Sequence, residues 1–305
     1  MFNITKHIKV FELPRFKFPY CNCIWIDDDI GCLIDSSPTD EELINLTGKK
    51  IDLIVNSHGH LDHYFHNIDY PDTRVLMHEK DQAMAQSAKA YLHNFNFYAQ
   101  VPDEKLHTLY MDAIHYRTTH VNANLSDGQI IKTGKTHFQV LHLPGHSAGH
   151  CGFLFPDQGF VFTADLDLSP FGPWYGNINC SISELIDSIE RLIKLKPDFI
   201  ISGHGQALIK ERIISRLNEY RDIVYEREHR IVSLMYRGKH TPVEIAKHLP
   251  VYQQLPPPQQ VFFLYEITMI EIHLQHLIAS GKVIQDKDNY YLSSGVKPSS
   301  FDPPR

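Results

Sequence analysis

The chain lacks several features that would place it in common classes of protein. No uninterrupted apolar run reaches membrane-spanning length, and residues 1–6 have neither the basic start nor the apolar core of a signal peptide. The five cysteines are odd in number and lack zinc-finger spacing, which argues against a disulfide scaffold and predicts reduced thiols. These absences predict a cytoplasmic protein that does not enter a membrane.

An excess of basic residues is also missing. The chain carries 29 Lys and Arg against 36 Asp and Glu, a net charge of −7. The electrostatic attraction that dominates affinity for a phosphate backbone is therefore absent, which disfavours nucleic acid as a partner. The apolar content of 43% is ordinary, and 305 residues are enough for one large core and a smaller second domain. Composition thus agrees with a soluble enzyme.

The most informative segment that is present holds four donor side chains in six positions: His58, His60, Asp62 and His63. The apolar, β-branched stretch 51–56 before it has strand length, so the donors lie on a loop at the end of a strand. A solvated polar loop is the alternative for any one of these residues alone. Together they predict part of a metal site, and imidazole with carboxylate suits zinc, iron or manganese.

Three further segments repeat this arrangement. Residues 137–143 alternate like a strand and lead to His146, the strand-like residues 159–164 end at Asp165, and residues 198–202 lead to His204. Four strands thus deliver donors at their carboxyl ends. His142 and His150 flank the second segment, and Asp167 follows Asp165; polar loop roles are expected for all three.

In this order, the donors resemble the complete ligand set of the metallo-β-lactamase superfamily, over about residues 5 to 210. Asp35 resembles the first, structural aspartate of that superfamily. The resemblance implies a four-layer αββα sandwich of the α/β (α+β) class, with two metal ions at one edge. It assigns the ligands as follows: His58, His60 and His146 for the first metal, Asp62, His63 and His204 for the second, and Asp165 as the bridge.

The resemblance also implies a mechanism. Two divalent cations, expected to be Zn²⁺ with iron or manganese as alternatives, lower the pKa of a bridging water and supply hydroxide at neutral pH. Asp62 is the predicted catalytic residue that orients this hydroxide and carries its proton. No separate nucleophilic side chain is required.

A competing motif occurs around Ser147. Residues 145–149 match the G-x-S-x-G pattern of serine hydrolases, whose nucleophile stands between a strand and a helix. Here Pro144 precedes the motif and residues 151–155 read as another strand instead of a helix. The sequence therefore predicts that Ser147 is a turn residue.

The rest of the chain predicts two domains, a catalytic domain over 1–210 and a C-terminal region over 211–305. Residues 182–193 carry one apolar stripe after the capping residue Ser181, which predicts a helix outside the sandwich. Residues 208–237 predict a long connecting helix. A short helix opened by Thr241, a helix over about 261–280 and a hairpin then follow in the order of a winged helix.

Residues 241–305 hold five Lys or Arg against six Asp or Glu, so this winged-helix-like region is expected to be a lid or a homodimer surface rather than a nucleic-acid reader. An aromatic, helical insertion over about 79–125 is expected either to wall the site or to pack on itself. Phe171, Trp174 and Tyr175 follow Asp165 closely and are the predicted substrate contacts.

Three functions remain open from the sequence. The first is hydrolysis of an ester or thioester of a small metabolite by the dinuclear site, because residues 127–129 and the following turn resemble glyoxalase II. The second is phosphodiester hydrolysis of single-stranded RNA, which the tail favours and the charge opposes. The third is a mononuclear iron dioxygenase acting on a persulfide, or a ligand sensor without turnover.

Overall fold

The computed structural model describes residues 1–13 and 15–297 of the chain. Over these residues the chain forms two mixed β-sheets, a separate hairpin and helices on both outer sides of the sheets. The expected α/β sandwich is therefore confirmed. The strands of the first sheet lie side by side in chain order: β1 (Phe2–Asn3), β2 (Ile8–Phe11), β3 (Cys23–Ile26), β4 (Cys32–Ile34), β5 (Leu53–Val55), β6 (Arg74–His78) and β7 (Ala123–Leu125).

The second sheet also follows chain order, with these strands: β8 (Ile130–Lys132), β9 (His137–His142), β10 (Cys151–Phe155), β11 (Phe160–Phe162), β12 (Phe199–Ile201) and β13 (Leu208–Ile209). In the first sheet β4, β5, β6 and β7 pair in parallel, whereas in the second sheet only β11 and β12 do so among the described residues. Parallel neighbours direct their carboxyl ends to one edge, which is where the predicted donors follow β5, β11 and β12.

The hydrophobic core lies between the two sheets. Ile24 and Val55 of the first sheet and Phe138, Phe153 and Phe162 of the second are fully buried in it. Both faces of the central strands are covered, which explains why these strands read as continuous apolar runs instead of alternating ones.

Ten α-helices occur in the described part of the chain: α1 (Asp40–Leu43), α2 (Leu61–Tyr64), α3 (Glu79–Gln86), α4 (Ala88–Asn94), α5 (Phe97–Gln100), α6 (Glu104–Ala113), α7 (Ile182–Leu195), α8 (Ile213–Tyr236), α9 (Pro242–Ala246) and α10 (Gln259–Ala279). Short 3₁₀ turns occupy Ile44–Leu46 and Asn67–Asp69. The predicted helix after Ser181 is α7, and the Ser181 side chain accepts a hydrogen bond from the backbone of Glu184. Helices α3 to α6 form the expected helical insertion.

The long connecting helix begins later than the sequence predicts. Leu208 and Ile209 do not start it but form β13, which pairs with Ile201 and Ile200 at the sheet edge. Apolar residues occur in both helices and strands, so their spacing alone does not distinguish the two. Here residues 208 and 209 form backbone hydrogen bonds with the edge strand β12 instead of a helical turn. The helix then starts at Ile213.

The C-terminal region has the predicted order of helix, helix and hairpin. Helices α9 and α10 are followed by β14 (Val283–Asp286) and β15 (Asn289–Leu292), which pair antiparallel. Thr241 and Glu244 form a reciprocal capping box at the start of α9. A winged-helix identity and the boundary at residue 210 stay predictions, and one hydrophobic core contains residues from both sides of that boundary.

Helix α10 is unusual because its apolar residues are spread round the helix instead of forming one face. Among the described residues, it is the one helix long and apolar enough to cross a membrane, judged by length and composition alone. More than half of it is buried inside the protein, including the polar Glu266 and His273. A helix that is apolar on every face and packed in this way has the pattern of a core helix.

Candidate metal centre

All seven predicted ligands meet at the edge where the carboxyl ends of four strands converge. His58 and His60 lie on the loop after β5, and Asp62 and His63 open α2 directly behind them. The other three occupy loops of the second sheet, with His146 after β9, Asp165 after β11 and His204 after β12. The two sheets therefore each contribute part of one site.

The first donor set consists of His58, His60, His146 and Asp165, whose ligand atoms all lie within 4.8 Å of one another. Nε2 of His146 is 3.2 Å from Nε2 of His58 and 3.0 Å from Nδ1 of His60. The same nitrogen is 3.3 Å from Oδ2 of Asp165. Four donor atoms thus face one common point.

The second donor set consists of Asp62, His63 and His204. Nε2 of His204 lies 3.2 Å from Nε2 of His63 and 3.3 Å from Oδ2 of Asp62. Oδ1 of Asp165 is 2.9 Å from His63 and 3.4 Å from His204, each measured to Nε2. One oxygen of Asp165 therefore faces each set, as a bridging carboxylate requires.

These distances are those expected of donors that share a metal ion. Tetrahedral donors at the usual 2.0–2.1 Å from zinc are about 3.3 Å apart, close to the separations found here. Oδ1 of Asp165 is buried and makes no hydrogen bond, although His63 is adjacent. In the neutral tautomer with its proton on Nδ1, directed at Asp35, His63 presents the lone pair of Nε2 to Oδ1. A cation held between these two atoms would satisfy both.

Four histidines of the site have a fixed orientation because an oxygen atom lies at the ring nitrogen that faces away from the centre. Nδ1 of His63 bonds to Asp35 at 2.8 Å, and Nδ1 of His146 bonds to the carbonyl of residue 174 at 2.9 Å. The remaining two pairs are His58 with the Ser57 hydroxyl and His60 with the Asn177 side chain. Such partners fix the tautomer and the ring plane of metal-binding histidines.

Asp35 occupies the position that the sequence assigned to a structural aspartate. It is fully buried and accepts hydrogen bonds from the backbone and hydroxyl of Ser57 as well as from His63. Its φ is 53°, in the left-handed region, and Ala164 next to Asp165 has a φ of 44°. Each left-handed residue costs roughly 1–2 kcal/mol, so the surrounding contacts hold both segments in place beside the ligands.

Asp81 is a buried residue of the site that the sequence reasoning missed. Its carboxylate accepts hydrogen bonds from the backbone of Gly59 at 3.1 Å and of Gly149 at 2.8 Å, and from the Ser147 hydroxyl at 2.5 Å. It therefore ties the loop of His58 and His60 to the loop of His146. A Cβ at either glycine would lie under 3.0 Å from Asp81, so the two glycines permit this close approach.

Four further polar residues lie beside the metal ligands or close to them in the chain: Ser147, His150, Asp167 and His142. Ser147 lies in the irregular segment between β9 and β10, where it is fully buried against Asp81. Nδ1 of His150 donates to the carbonyl of residue 143, and Nε2 accepts from the backbone of Asp165. Asp167 accepts from the backbone of Ser169 and the hydroxyl of Tyr220. His142 stacks on His78.

The electrostatics differ between the two donor sets. Burial lowers the pKa of His58 and of His146 well below its usual range, which keeps both imidazoles neutral and able to bind metal. Burial also acts on His63, but the carboxylates of Asp165 and Asp35 outweigh it and raise its pKa. The surrounding histidines overcome burial at Asp165 and lower its pKa well below the usual range.

Solvent reaches the centre from one side. The side chains of Asp62, Asp165 and His204 are 12%, 13% and 11% exposed, whereas His58 and His63 are fully buried. Beside His204 stands Phe16, whose ring centre is 5.5 Å away and which is 65% exposed. The exposed aromatic residue on the loop between β2 and β3 was not singled out from the sequence.

Aromatic residues from three parts of the chain line the side of His60. Trp174 and Phe95 each have ring centres 5.5 Å from His60, and Tyr265 of α10 lies 5.5 Å from Trp174. The helical insertion and the C-terminal region therefore both reach the edge that carries the metal ligands. This agrees with the prediction that the insertion forms a wall of the site.

The three predicted substrate contacts have different positions. Trp174 lies against His60 and His146 and is partly exposed, so it remains a candidate contact. Tyr175 is fully buried, and its hydroxyl bonds to His273 and Arg227. Its side chain therefore points toward α8 and α10 and away from the metal centre. Phe171 packs against Arg227 and Tyr252, on the same side of the loop.

Solved structures with similar folds cover nearly the whole chain. A metallo-beta-lactamase family protein from Thermus thermophilus has a TM-score of 0.73 at 19% identity, and the match covers 95% of this chain and 100% of that one. A beta-lactamase domain protein from Burkholderia ambifaria has a TM-score of 0.68 at 16% identity and covers 96% and 93%. At these identities the likeness is one of fold.

The sequence comparisons agree. A hydroxyacylglutathione hydrolase of Haemophilus influenzae, GloC, is 28% identical over 215 residues, which are 65% of this chain and 91% of that protein. A hydroxyacylglutathione hydrolase of Cereibacter sphaeroides is 31% identical over 104 residues, a match that spans 33% of this chain and 40% of that protein. The family model of the metallo-beta-lactamase superfamily matches residues 17–204, more than half of the chain. The chain therefore belongs to the metallo-beta-lactamase superfamily and is a metal-dependent hydrolase of that fold.

Proposed function

We propose that this hydrolase uses two divalent metal ions, with Zn²⁺ as the first expectation, to cleave an ester or thioester of a small metabolite. The observation that carries the proposal is the position of Asp165, whose two carboxylate oxygens face two separate donor sets. A site for one ion needs only one of those sets. A set of metal donors faces each oxygen of Asp165. This favours an enzyme with two metal ions over a mononuclear iron enzyme or a ligand sensor.

When bound, a pair of divalent cations supplies hydroxide from water at neutral pH and polarises the bond that is attacked. The protein residues would hold the metal ions and accept the proton released from the attacking water. Asp62 is placed to accept this proton because its side chain is partly exposed at the open side and its Oδ2 lies beside His204. Burial opposes its ionisation, but the hydrogen bond from His204 and the charge of His63 lower the pKa of Asp62. It therefore stays an acceptor at neutral pH.

The substrate class follows from the relatives and the surroundings. The relatives from Haemophilus influenzae and Cereibacter sphaeroides are named hydroxyacylglutathione hydrolases, which supports an acyl thioester as substrate. The wall of Trp174 and Phe95 beside His60 suits an apolar acyl or thiol portion. The C-terminal helices and hairpin differ from the glutathione-binding helices expected of a glyoxalase II, so we propose a small thioester or ester without requiring glutathione.

A second candidate is hydrolysis of single-stranded RNA. The order of α9, α10, β14 and β15 favours it, because helix, helix and hairpin is the order of a winged helix. The chain's net charge of −7 opposes it. It therefore ranks below the metabolite hydrolase.

The test combines metal analysis with a substrate panel of thioesters, esters, lactones, phosphodiesters and short RNAs. We expect about two metal ions per chain and fastest turnover of a thioester or ester. Asp165→Asn should lose metal and turnover together. The amide has one oxygen in place of two and no negative charge, so it cannot bridge two cations as the carboxylate can. The matched control is Asp167→Asn, which keeps an acceptor for Ser169 and Tyr220 and should retain both properties.

Other outcomes would replace the proposal. One iron per chain without a second metal would indicate the mononuclear alternative, and full metal content and turnover in Asp165→Asn would disprove the bridge. Turnover of RNA alone would select the second candidate.

A further inference from the structure

We propose that Arg227 is a positioning residue of the metal centre, which acts through residues 171–177, here called the 171–177 loop, to hold His146 and His60. The inference rests on the proposed function, since it takes these two histidines as metal ligands. It assigns a role in the site to the C-terminal region, which the family model for residues 17–204 does not include.

Arg227 lies on α8 and is fully buried. Its guanidinium donates hydrogen bonds to the backbone carbonyls of Phe171 and Pro173, both at 2.5 Å, and to the hydroxyl of Tyr175 at 3.0 Å. The guanidinium carbon also lies 4.5 Å from the centre of the Phe171 ring. One side chain thus fixes three residues of the 171–177 loop.

The neighbouring residues on the same face of α8 hold this segment too. A Cβ at Gly172 would lie 2.5 Å from Cγ2 of Ile223, one helical turn before Arg227, so the loop backbone rests directly on the helix. Another turn earlier, the Tyr220 hydroxyl lies 3.2 Å from the carbonyl oxygen of Asp165 and 3.0 Å from Oδ1 of Asp167, so its one proton is shared between these two acceptors. Helix α8 therefore supports the chain from Asp165 to residue 175.

The 171–177 loop supplies outward partners to two ligands of the first donor set. The carbonyl of Trp174, directly after Pro173, accepts the Nδ1 hydrogen bond of His146 at 2.9 Å. Asn177 places its Oδ1 3.2 Å from Nε2 of His60. A proton on Nδ1 of His146 leaves Nε2 free for the metal, and a proton on Nε2 of His60 leaves Nδ1 free. The position of the loop therefore determines which nitrogens face the centre.

A buried guanidinium is costly unless its hydrogen bonds are made. The acceptors of Arg227 are backbone carbonyls and a hydroxyl, which are neutral, so packing alone would be served as well by an apolar side chain. Planar donors in a fork can bind two carbonyls of one loop at fixed spacing, which an apolar side chain cannot do and a lysine does with a less defined geometry. This geometry explains why an arginine occupies the position.

The test replaces Arg227→Met, which keeps the length and removes the donors, and measures three properties. These are affinity for Zn²⁺ by chelator competition, the thermal midpoint of the metal-free protein, and the proton resonance of the hydrogen-bonded imidazole N–H of His146. We expect the affinity for one of the two Zn²⁺ ions to fall about 10- to 100-fold, as for other partners of metal-binding histidines, and the His146 resonance to shift or broaden.

The matched control is Arg230→Met on the same helix. Arg230 also donates to a backbone carbonyl, that of Pro250 at 2.6 Å, but this carbonyl lies outside the 171–177 loop. A purely structural role for Arg227 predicts that both variants lower the thermal midpoint and leave Zn²⁺ affinity unchanged. That result would overturn the inference. If Arg227→Met does not fold, Arg227→Lys gives the same comparison, with an intermediate loss of affinity expected and wild-type affinity contradicting the proposal.

Failure of the proposed function looks different. In that case the wild-type protein would itself bind fewer than two metal ions or turn over no ester or thioester. Wild-type protein with two metals, together with wild-type Zn²⁺ affinity in Arg227→Met, would contradict the role of Arg227 alone.

Discussion

The carboxylate of Asp81 lies 2.8 Å from the backbone nitrogen of Gly149 and, through its other oxygen, 3.1 Å from that of Gly59. One buried side chain from α3 therefore joins two loops that follow strands of different sheets. These loops carry His58, His60 and His146, so the geometry of the first donor set depends on a residue that touches none of its ligand atoms.

Asp81→Ala should destabilise the protein and weaken metal binding. The change leaves two buried backbone N–H groups without an acceptor, at about 1–3 kcal/mol each. Urea denaturation and Zn²⁺ competition would measure the two effects. Ser147→Ala removes one donor to the same carboxylate and serves as the milder comparison, and equal effects of both variants would contradict the proposed link between the loops.

Asp35→Asn should weaken the second donor set more than the first. The change reduces the acceptor strength that holds Nδ1 of His63, and loss of such partners typically lowers metal affinity about 10- to 100-fold. Titration of the metal-free protein with Co²⁺, followed by absorption, would separate the two binding steps. We expect one binding step to lose more affinity than the other, and equal losses in both steps would show that Asp35 does not act mainly through His63.

Phe16→Ala should raise KM and leave metal content unchanged. Phe16 is 65% exposed and lies 5.5 Å from His204 at the open side of the centre, so it is placed to contact substrate rather than metal. A rise in KM of about tenfold corresponds to about 1.4 kcal/mol of lost contact. Phe18→Ala is the control on the same loop, and an equal change in both variants would remove the specific role of Phe16.

The pH dependence of stability should reveal the buried Glu228 of α8. Burial raises its pKa, but hydrogen bonds from His273 and His276 outweigh burial and lower it from 4.5 to about 2. A lowered folded-state pKa means that the stabilisation is complete above the unfolded value and is lost as the pH falls toward 2. Between pH 5 and 3 the wild type should therefore lose about 2 kcal/mol that Glu228→Gln does not lose.

Urea denaturation of the metal-free proteins at a series of pH values checks this expectation. Glu226→Gln on the exposed side of the same helix is the control and should follow the wild type. Parallel curves for the wild type and Glu228→Gln would show that the ionised carboxylate contributes no net stability.

Much of the metal centre could be read from the chain because its ligands are encoded locally. His58, His60, Asp62 and His63 follow one apolar strand, and each further donor follows another strand that has its own turn signal. Strand ends gather at a sheet edge, so a pattern repeated at four strand ends already implies one site. Helix α7 was predictable for the same reason, because Ser181 and the apolar stripe that follows it are local signals. The αββα sandwich was predictable from the family resemblance.

Long-range contacts explain what the sequence reasoning did not find. Asp81 is an ordinary acidic residue of a short helix until folding places Gly59 and Gly149 against it. The position of Tyr175 near Asp165 in the chain predicts a substrate contact, yet hydrogen bonds with Arg227 and His273 hold its side chain on the side of the 171–177 loop away from the metal centre. Leu208 has helical spacing to the residues after it, but the edge of β12 takes it into the sheet.

The sequence by itself determined the donor types, their order and the strands that carry them, because those properties depend on neighbouring residues. Only the tertiary structure decided which nitrogen of each histidine faces the centre, that the oxygens of Asp165 face two separate sets, and that α8 and α10 of the C-terminal region back the site. The physical reason is that hydrogen-bond partners such as Asp35, Trp174 and Asn177 lie 28, 28 and 117 positions from the histidines that they orient, and no local pattern encodes such pairs.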